Sequence, residues 1–101
     1  MVTKTYQEKQ IQQRLAQELP NARTEVHTSV GRADIVTLNQ VIEIKNWKFW
    51  KFGVGQLIAY SACFPNKTLR LHCFGEIDTP TRLDLIRLFA RLPIEIELTW
   101  E

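Results

Sequence analysis

The chain has 101 residues, of which 45% are hydrophobic and 24% charged, a balance typical of a single globular domain over residues 1–101. Thirteen lysines and arginines against eleven aspartates and glutamates give a net charge of +2, too small by itself to indicate a nucleic-acid partner. The longest uncharged stretch, residues 52–66, is too short for a transmembrane helix, and the polar residues 1–10 lack a signal peptide's apolar segment. We therefore expect an intracellular protein, cytoplasmic or nucleoid-associated, that is neither secreted nor bound to a membrane.

The N-terminal half predicts one helix and three strands. Residues 4–19 carry apolar side chains at helical spacing, and Pro20 ends the run. The next segment alternates polar residues with β-branched ones until Gly31, and two further β-branched runs are separated by Asn39-Gln40, which predicts a tight hairpin. The three predicted strands cover residues 23–30, 33–38 and 41–45.

The C-terminal half predicts two helices and two strands. A helical pattern over residues 54–64 ends before Pro65, and residues 68–74 alternate as a half-buried strand does. Asp78 or Thr79 followed by Pro80 predicts the start of the last helix. Alternation over residues 94–98 predicts an edge strand. The order α-β-β-β-α-β-α-β predicts an α/β (α+β) fold with a mixed sheet flanked by helices.

Glu8 occupies an unusual place on the first helix. At about 100° per residue, Glu8 falls in the middle of the apolar stripe formed by Ile11, Leu15 and Leu19. A carboxylate buried there requires a cation nearby. Alternatively, Glu8 lies one turn from the start of the helix, where an acid interacts favourably with the helix dipole and stays solvated. The sequence leaves both interpretations open.

The predicted hairpin brings charged side chains together. If Asn39-Gln40 is the loop, Asp34 opposes Lys45, and Glu43 projects from the same face. Together with Glu8, these carboxylates could surround a hard divalent cation such as Mg²⁺, which prefers oxygen ligands. The alternative is an ion-paired, solvated sheet face. The residues expected on the buried face are Ile35, Ile42 and Ile44.

These residues also carry a resemblance to a known family. The segment 31–36 (GRADIV), followed after a short hairpin by Glu43-Ile44-Lys45, resembles the PD-(D/E)XK nuclease superfamily of restriction enzymes, Holliday-junction resolvases and recombination exonucleases. Residues 56–60 are similar to the Q-x-x-x-Y element of its exonuclease-type members, whereas Ala33 replaces the proline of the motif. The likeness covers roughly residues 6–74 and implies a restriction-endonuclease-like core.

The resemblance implies a role for each matched residue. Asp34 and Glu43 would bind Mg²⁺, for which Mn²⁺ substitutes, with the carbonyl of Ile44 and the Glu8 carboxylate as further ligands. Lys45 would position the attacking water. Gln56 and Tyr60 would hold the substrate backbone or brace Lys45. No small-molecule cofactor is implied.

A basic and aromatic segment follows the E-x-K strand. Residues 45–52 (KNWKFWKF) place three lysines among four aromatic residues. We expect Lys48, Lys51 and Arg32 to contact phosphates, a tryptophan of this segment (Trp47 or Trp50) to stack on a base, and the next helix, beginning near residue 53, to offer phosphate-binding amides. Alternatively, the aromatic residues belong to the core or to a dimer interface.

The expected activity is that of a Mg²⁺-dependent deoxyribonuclease, an endonuclease or exonuclease that hydrolyses DNA phosphodiesters. One such site cuts one strand, so we expect a homodimer or recruitment by a partner protein. The alternative is a catalytically silent nucleic-acid-binding or assembly module of the same fold. A third interpretation is a small structural dimer with an ion-paired sheet, in which metal would have no role.

Overall fold

The computed structural model describes residues 4–101 and confirms the predicted α/β fold class and element order. A single turn of 3₁₀ helix, here called η1, lies between the third strand and the second helix. The elements are α1 (Tyr6–Glu18), β1 (Arg23–Thr28), β2 (Gly31–Val36), β3 (Gln40–Asn46), η1 (Trp47–Phe49), α2 (Trp50–Ser61), β4 (Thr68–Phe74), α3 (Thr79–Phe89) and β5 (Ile96–Trp100).

The five strands form one mixed sheet in chain order. The strands β1, β2 and β3 are antiparallel, whereas β4 runs parallel to β3 and β5 runs parallel to β4. The last strand therefore lies at an edge, as predicted. Within residues 4–101, none of the helices is both long and apolar enough to span a bilayer.

Helices cover both faces of the sheet. The first face packs against α1 through Ile11 and Leu15, and the second against α2 and α3, which contribute Leu57, Tyr60 and Phe89. Each layer buries apolar side chains that alternate along the central strands. The sheet residues of the α1 side are Ile35, Ile42, Ile44 and Phe74, and those of the other side include Val36, Val41, Leu69, Leu71 and Cys73.

The hairpin between β2 and β3 closes one residue earlier than predicted. Thr37 N donates to the Gln40 carbonyl (2.9 Å), and Thr37 Oγ1 accepts from the amides of Asn39 (3.3 Å) and Gln40 (3.0 Å), so the loop is Leu38-Asn39. The threonine hydroxyl fixes this loop because it satisfies amides that a shifted loop would leave unpaired. The observed pairs are Ile35–Ile42 and Val36–Val41, which replace the predicted Asp34–Lys45, Val36–Glu43 and Leu38–Val41.

The segregation of side chains survives this change of register. The sum of paired residue numbers moves by two, and side chains alternate with a period of two along a strand. The three isoleucines Ile35, Ile42 and Ile44 therefore still share the α1 face.

The second helix begins earlier than predicted, at Trp50 instead of near residue 54. Asn46 initiates the preceding turn because its Oδ1 accepts from Lys48 N (3.0 Å), and η1 runs directly into α2. Gly53 lies inside the helix: a Cβ there would stand 2.5 Å from Leu71 Cδ1. The glycine thus permits close contact between α2 and the sheet, and it does not mark the start of a helix.

Candidate nucleic-acid interface and carboxylate pair

Asp34 and Glu43 lie side by side at the open end of the hairpin, beyond the last paired residues. Asp34 Oδ2 accepts from Ile44 N (2.8 Å), and Asp34 N donates to Glu43 Oε1 (3.3 Å). Carboxylate oxygens therefore take amides that a continuous ladder would pair with carbonyl groups. Exposed fractions of 4% for Asp34 and 1% for Glu43 show that both acids are buried. The structure thus brings together the two residues predicted to form the metal site.

The environment of Glu43 disfavours its charged form. Burial, followed by the negative charge of Asp34, raises the pKa of Glu43 well above its ordinary value, and the positive charge of Lys45 offsets only part of this. Two buried acids of like charge are costly unless a cation lies near them. Asp34 and Glu43 are called the carboxylate pair from here on. A nearby positive charge would stabilise this pair.

Lys4, which the sequence analysis did not single out, supplies part of that charge. Its Nζ contacts the Asp34 carboxylate and lies 3.5 Å from Glu25 Oε1. Burial of Lys4 opposes its ionisation, but the negative charges of Asp34 and Glu25 outweigh this effect and raise the pKa of Lys4. The Lys4 ammonium group thus lies where a positive charge stabilises the ionised carboxylate pair.

The strand β1 is distorted at Glu25, which lies opposite Asp34. The φ of Glu25 is +51°, in the left-handed region that non-glycine residues rarely adopt. It lies between two regular pairs of the β1–β2 ladder, Thr24–Ile35 and Val26–Ala33. A hairpin centred on Ser29-Val30 would have placed Glu25 opposite Asp34, and that was the signal in the sequence. Glu25 therefore holds a strained backbone conformation opposite Asp34.

Lys45 follows Glu43 by two residues on β3 and projects toward α2. Its Cγ would stand 3.1 Å from a Cβ added at Gly53, so the backbone of α2 limits where the lysine stem can lie. The side chain is half-buried. Close packing by α2 thus restricts the position of the third residue of the predicted site.

Glu8 has a different role from the one predicted. It is the third residue of α1, where its amide donates to Thr5 Oγ1 (3.1 Å) and its Oε1 accepts from Thr5 N (3.3 Å). This reciprocal capping box satisfies amides at the helix start. The predicted place in a metal cage is therefore corrected, and the alternative, an acid in the first turn, describes Glu8 in the structure.

Tyr60 differs from the expected nucleic-acid contact, whereas the contact expected of Gln56 stays a prediction. Tyr60 is buried, and its hydroxyl donates to the Arg32 carbonyl (2.7 Å), so it braces the strand two residues before Asp34. Gln56 is half-buried, and its Oε1 has no hydrogen-bond partner within residues 4–101. Contact of Tyr60 with nucleic acid is corrected to a bracing role, whereas the Arg32 side chain is exposed as a phosphate contact requires.

The basic and aromatic segment is helical from Trp47 onward, whereas Lys45 and Asn46 belong to β3. Its aromatic residues point in two directions. Trp47 Nε1 donates to the Glu76 carbonyl (2.5 Å), and the Trp50 ring lies 5.7 Å from that of Phe89. These contacts favour the alternative interpretation, in which both tryptophans belong to the core. The exposed members of the segment are Lys48, Phe49, Lys51 and Phe52.

The carboxylate pair offers the oxygen ligands that a minimal Mg²⁺ site requires. Among residues 4–101, no three histidine, cysteine, aspartate or glutamate side chains come together as a group that could hold a metal ion. Mg²⁺, however, is commonly bound by one or two carboxylates together with substrate phosphates and water. Asp34 and Glu43 meet that smaller requirement, and the Ile44 carbonyl follows directly in the chain.

Comparison with curated proteins finds relatives in one virus. The chain is 43% identical over 68 residues to the putative KilA-N domain-containing protein L33 of Acanthamoeba polyphaga mimivirus, a match that covers 67% of this chain. It is 35% identical over 81 residues, 80% of the chain, to the putative KilA-N domain-containing protein L32 of the same virus. A third protein with this description, R878, is 35% identical over 51 residues.

These relatives are much longer than the part they share with this chain. The matches span 27% of L33, 21% of L32 and 14% of R878. No family model and no solved structure matches the chain. The comparisons therefore establish similarity to one segment of KilA-N domain-containing viral proteins.

Proposed function

We propose that this chain is a DNA-binding module. The observation that carries the proposal is the exposed basic and aromatic surface formed by Lys48, Phe49, Lys51 and Phe52, which follows directly after the strand that carries Glu43 and Lys45. Lysine ammonium groups neutralise phosphates, and exposed rings interact with bases.

The distribution of charge supports this assignment. Residues 44–75 contain no aspartate or glutamate, while Lys45, Lys48, Lys51, Lys67 and Arg70 lie within that stretch. Of these residues, Lys48 and Lys51 are exposed, whereas Lys67 donates to the carbonyl groups of the β2–β3 loop, so we assign the attraction of a polyanion to the two exposed lysines. Arg32 adds an exposed guanidinium near the carboxylate pair.

The similar proteins point to the same partner. KilA-N, for which L33, L32 and R878 are named, is a DNA-binding domain. Because this chain spans about a quarter or less of each relative, the name supports DNA as partner for the present module only together with the surface described above.

The test measures binding of labelled DNA by fluorescence anisotropy. EDTA is present so that cleavage does not interfere. We expect Lys48→Glu with Lys51→Glu to weaken binding strongly, and the matched pair Arg87→Glu with Arg91→Glu, at exposed positions on or just after α3, to weaken it little. Failure of the unmodified chain to bind DNA would refute the proposal, as would equal effects of the two pairs.

A second candidate function, hydrolysis of the bound DNA, is favoured by the carboxylate pair. A module that only binds DNA has no need for two acids buried together, with Glu43 poorly able to ionise. The likeness of Asp34, Glu43 and Lys45 to the PD-(D/E)XK pattern supports the same chemistry. Cleavage of both strands would require two sites, from a second copy or a partner protein.

In this mechanism the chain positions the reactants. Asp34 and Glu43 would hold Mg²⁺, which, when bound, neutralises phosphate oxygens and lowers the pKa of a water molecule. Lys45, restricted by α2, would orient that water and donate toward the charge that develops on the phosphate. The role assigned to Lys45 is therefore to position the water, and not to act as a base.

Cleavage and metal binding test this candidate separately from DNA binding. We expect Asp34→Asn and Lys45→Met to abolish Mg²⁺-dependent cutting of DNA while leaving binding in EDTA within a few-fold. Calorimetry should show Mg²⁺ or Mn²⁺ binding that Asp34→Asn removes. Tight DNA binding by the unmodified chain without any cutting in either metal would leave the binding module as the whole function.

A further inference from the structure

We propose that Phe49 and Phe52 form a stacking platform for an unpaired base, so that the preferred ligand is DNA with a single-stranded segment. The inference rests on the proposed DNA binding and adds the class of substrate. Both rings are exposed, Phe49 by 55% and Phe52 by 71%, and their centroids lie 6.4 Å apart at 45°. Large exposed apolar rings are costly in water unless a ligand covers them.

The platform is held in place by its neighbours in the chain. Trp47 is anchored by its hydrogen bond to the Glu76 carbonyl, and Trp50 packs against Phe89. Residues three apart at the start of a helix share a face, so anchoring 47 and 50 inward directs 49 and 52 outward. The two phenylalanines therefore stand on a fixed backbone, which lowers the entropy lost when a ligand binds.

The charges around the platform favour a nucleic acid over an apolar protein partner. Lys48 and Lys51 are exposed and alternate with the two rings along the chain. Alternating rings and lysines suit a strand in which bases and phosphates alternate. A paired base keeps its faces within the duplex stack, so the rings require a base that is free of its partner.

The platform is connected to the strand of the carboxylate pair through α2. Gly53, the residue after Phe52, packs against the stem of Lys45, which itself follows Glu43 by two residues. In the hydrolytic candidate, the preferred substrate would then carry a single-stranded end or flap.

The experiment compares a short oligothymidylate with a blunt duplex of equal phosphate count, by anisotropy in EDTA. We expect Phe49→Ala with Phe52→Ala to weaken single-strand binding by roughly 5- to 150-fold per stacked base and to weaken duplex binding much less. The matched control is Leu83→Ala with Ile86→Ala, an exposed pair at the same spacing on α3, which should change neither affinity. The Phe49→Leu, Phe52→Leu pair, which keeps apolar area but no ring, should bind as weakly as the alanine pair.

Three results would overturn the inference. Equal loss for both DNAs would show that the rings do not distinguish single strands, and full binding by the leucine pair would exclude stacking. Dissociation of a dimer by the alanine pair, seen by sedimentation, with no change in DNA affinity would assign the rings to a contact between copies. In each case, binding of duplex DNA by the unmodified chain leaves the proposed function standing, whereas absence of all DNA binding by the unmodified chain refutes both.

Discussion

Asp34 and Glu43 are acids placed where water reaches almost none of their surface, and the residues around them compensate only in part. Asp34 has the Ile44 amide and the Lys4 ammonium group as partners, whereas Glu43 accepts from the Asp34 amide at 3.3 Å. The pair is consequently stabilised by an ammonium group that belongs to the segment before α1. Substitutions at Lys4 and Glu43 test this balance of charge without reference to any activity.

Lys4→Ala should lower the free energy of unfolding by about 1–3 kcal/mol in EDTA, because the Asp34 carboxylate loses a charged partner. Added Mg²⁺ should then raise the melting temperature of the variant more than that of the unmodified protein, since the ammonium group no longer competes for the pair. Lys9→Ala, on the exposed side of α1, is the control. Equal Mg²⁺ effects on the three proteins would contradict this role of Lys4.

Glu43→Gln should stabilise the fold increasingly as pH rises. With its raised pKa, folded Glu43 keeps a proton that the unfolded chain has released, so the free energy of unfolding falls as pH rises from about 4.5 through the folded value. Glutamine does not ionise and escapes this loss. Denaturant titrations in EDTA at several pH values measure the difference, with exposed Glu95→Gln as control. A difference that is constant with pH would contradict the prediction.

At the scale of elements, α2 connects the aromatic platform to the carboxylate pair. Its first residues anchor inward through Trp50, its fourth residue is the glycine against Leu71 and Lys45, and its far end carries Tyr60, which braces β2. One helix thus contacts both β2 and β3, the strands that carry Asp34, Glu43 and Lys45. Its distance from the sheet should therefore control both stability and the position of Lys45.

Gly53 and Gly55 provide an internal comparison for that distance. Gly53→Ala should destabilise the fold by about 1–3 kcal/mol, because the new methyl group would meet Leu71 at 2.5 Å. Gly55→Ala meets nothing within 4 Å and should stabilise the helix by up to about 1 kcal/mol. Thermal unfolding distinguishes the two. Equal effects would show that α2 does not pack as closely as described.

Sequence patterns predicted the elements whose signals are local. Residues 41–45 identify β3, and Asp78 caps α3 through the Thr81 amide (2.8 Å) with Pro80 in the first turn, as predicted. The start of α2 was missed because two glycines resembled helix breakers, although one of them is required by packing. The hairpin register was missed because a single hydroxyl, that of Thr37, fixes the loop.

The site was predictable only as far as it depends on neighbouring residues in the chain. Asp34 and Glu43 were expected to lie close together. They do so, but in a hairpin register that differs from the predicted one. Lys4 was missed because its approach to Asp34 depends on how the segment before α1 packs against the hairpin. Glu25 was overlooked although the β1–β2 register places it opposite Asp34. Glu8 was misplaced because a position on a helical wheel does not reveal where the helix begins. As a capping residue, Glu8 pairs with Thr5 at the helix start.

Across the whole molecule, positive charge is concentrated in one stretch of the chain. Residues 44–75 carry five basic residues and no acid, whereas the acids occur before and after this stretch. Attraction to DNA should therefore depend on a few local contacts and not on net charge. Such contacts release counterions, so the salt dependence of the affinity reports the number of phosphate contacts.

Lys48→Gln should reduce the salt dependence of DNA binding by about one phosphate contact. The slope of log affinity against log salt should become less steep by roughly 0.9 for duplex and 0.7 for single strands. Arg87→Gln, exposed on α3, should leave the slope unchanged. Anisotropy titrations over a range of KCl concentrations give both slopes. An unchanged slope for the Lys48 variant would remove this residue from the interface.

The mixed direction of the sheet has a consequence for how the chain folds. The strands β1, β2 and β3 are joined by short hairpin connections, whereas β4 and β5 each reach their parallel neighbour only after a helix. Closing short loops loses less chain entropy, so the antiparallel meander is expected to form first and the parallel strands to add to it. Asp34 and Glu43 would then face each other in an early folding nucleus, and acidic conditions, which remove their repulsion, would speed the first step of folding.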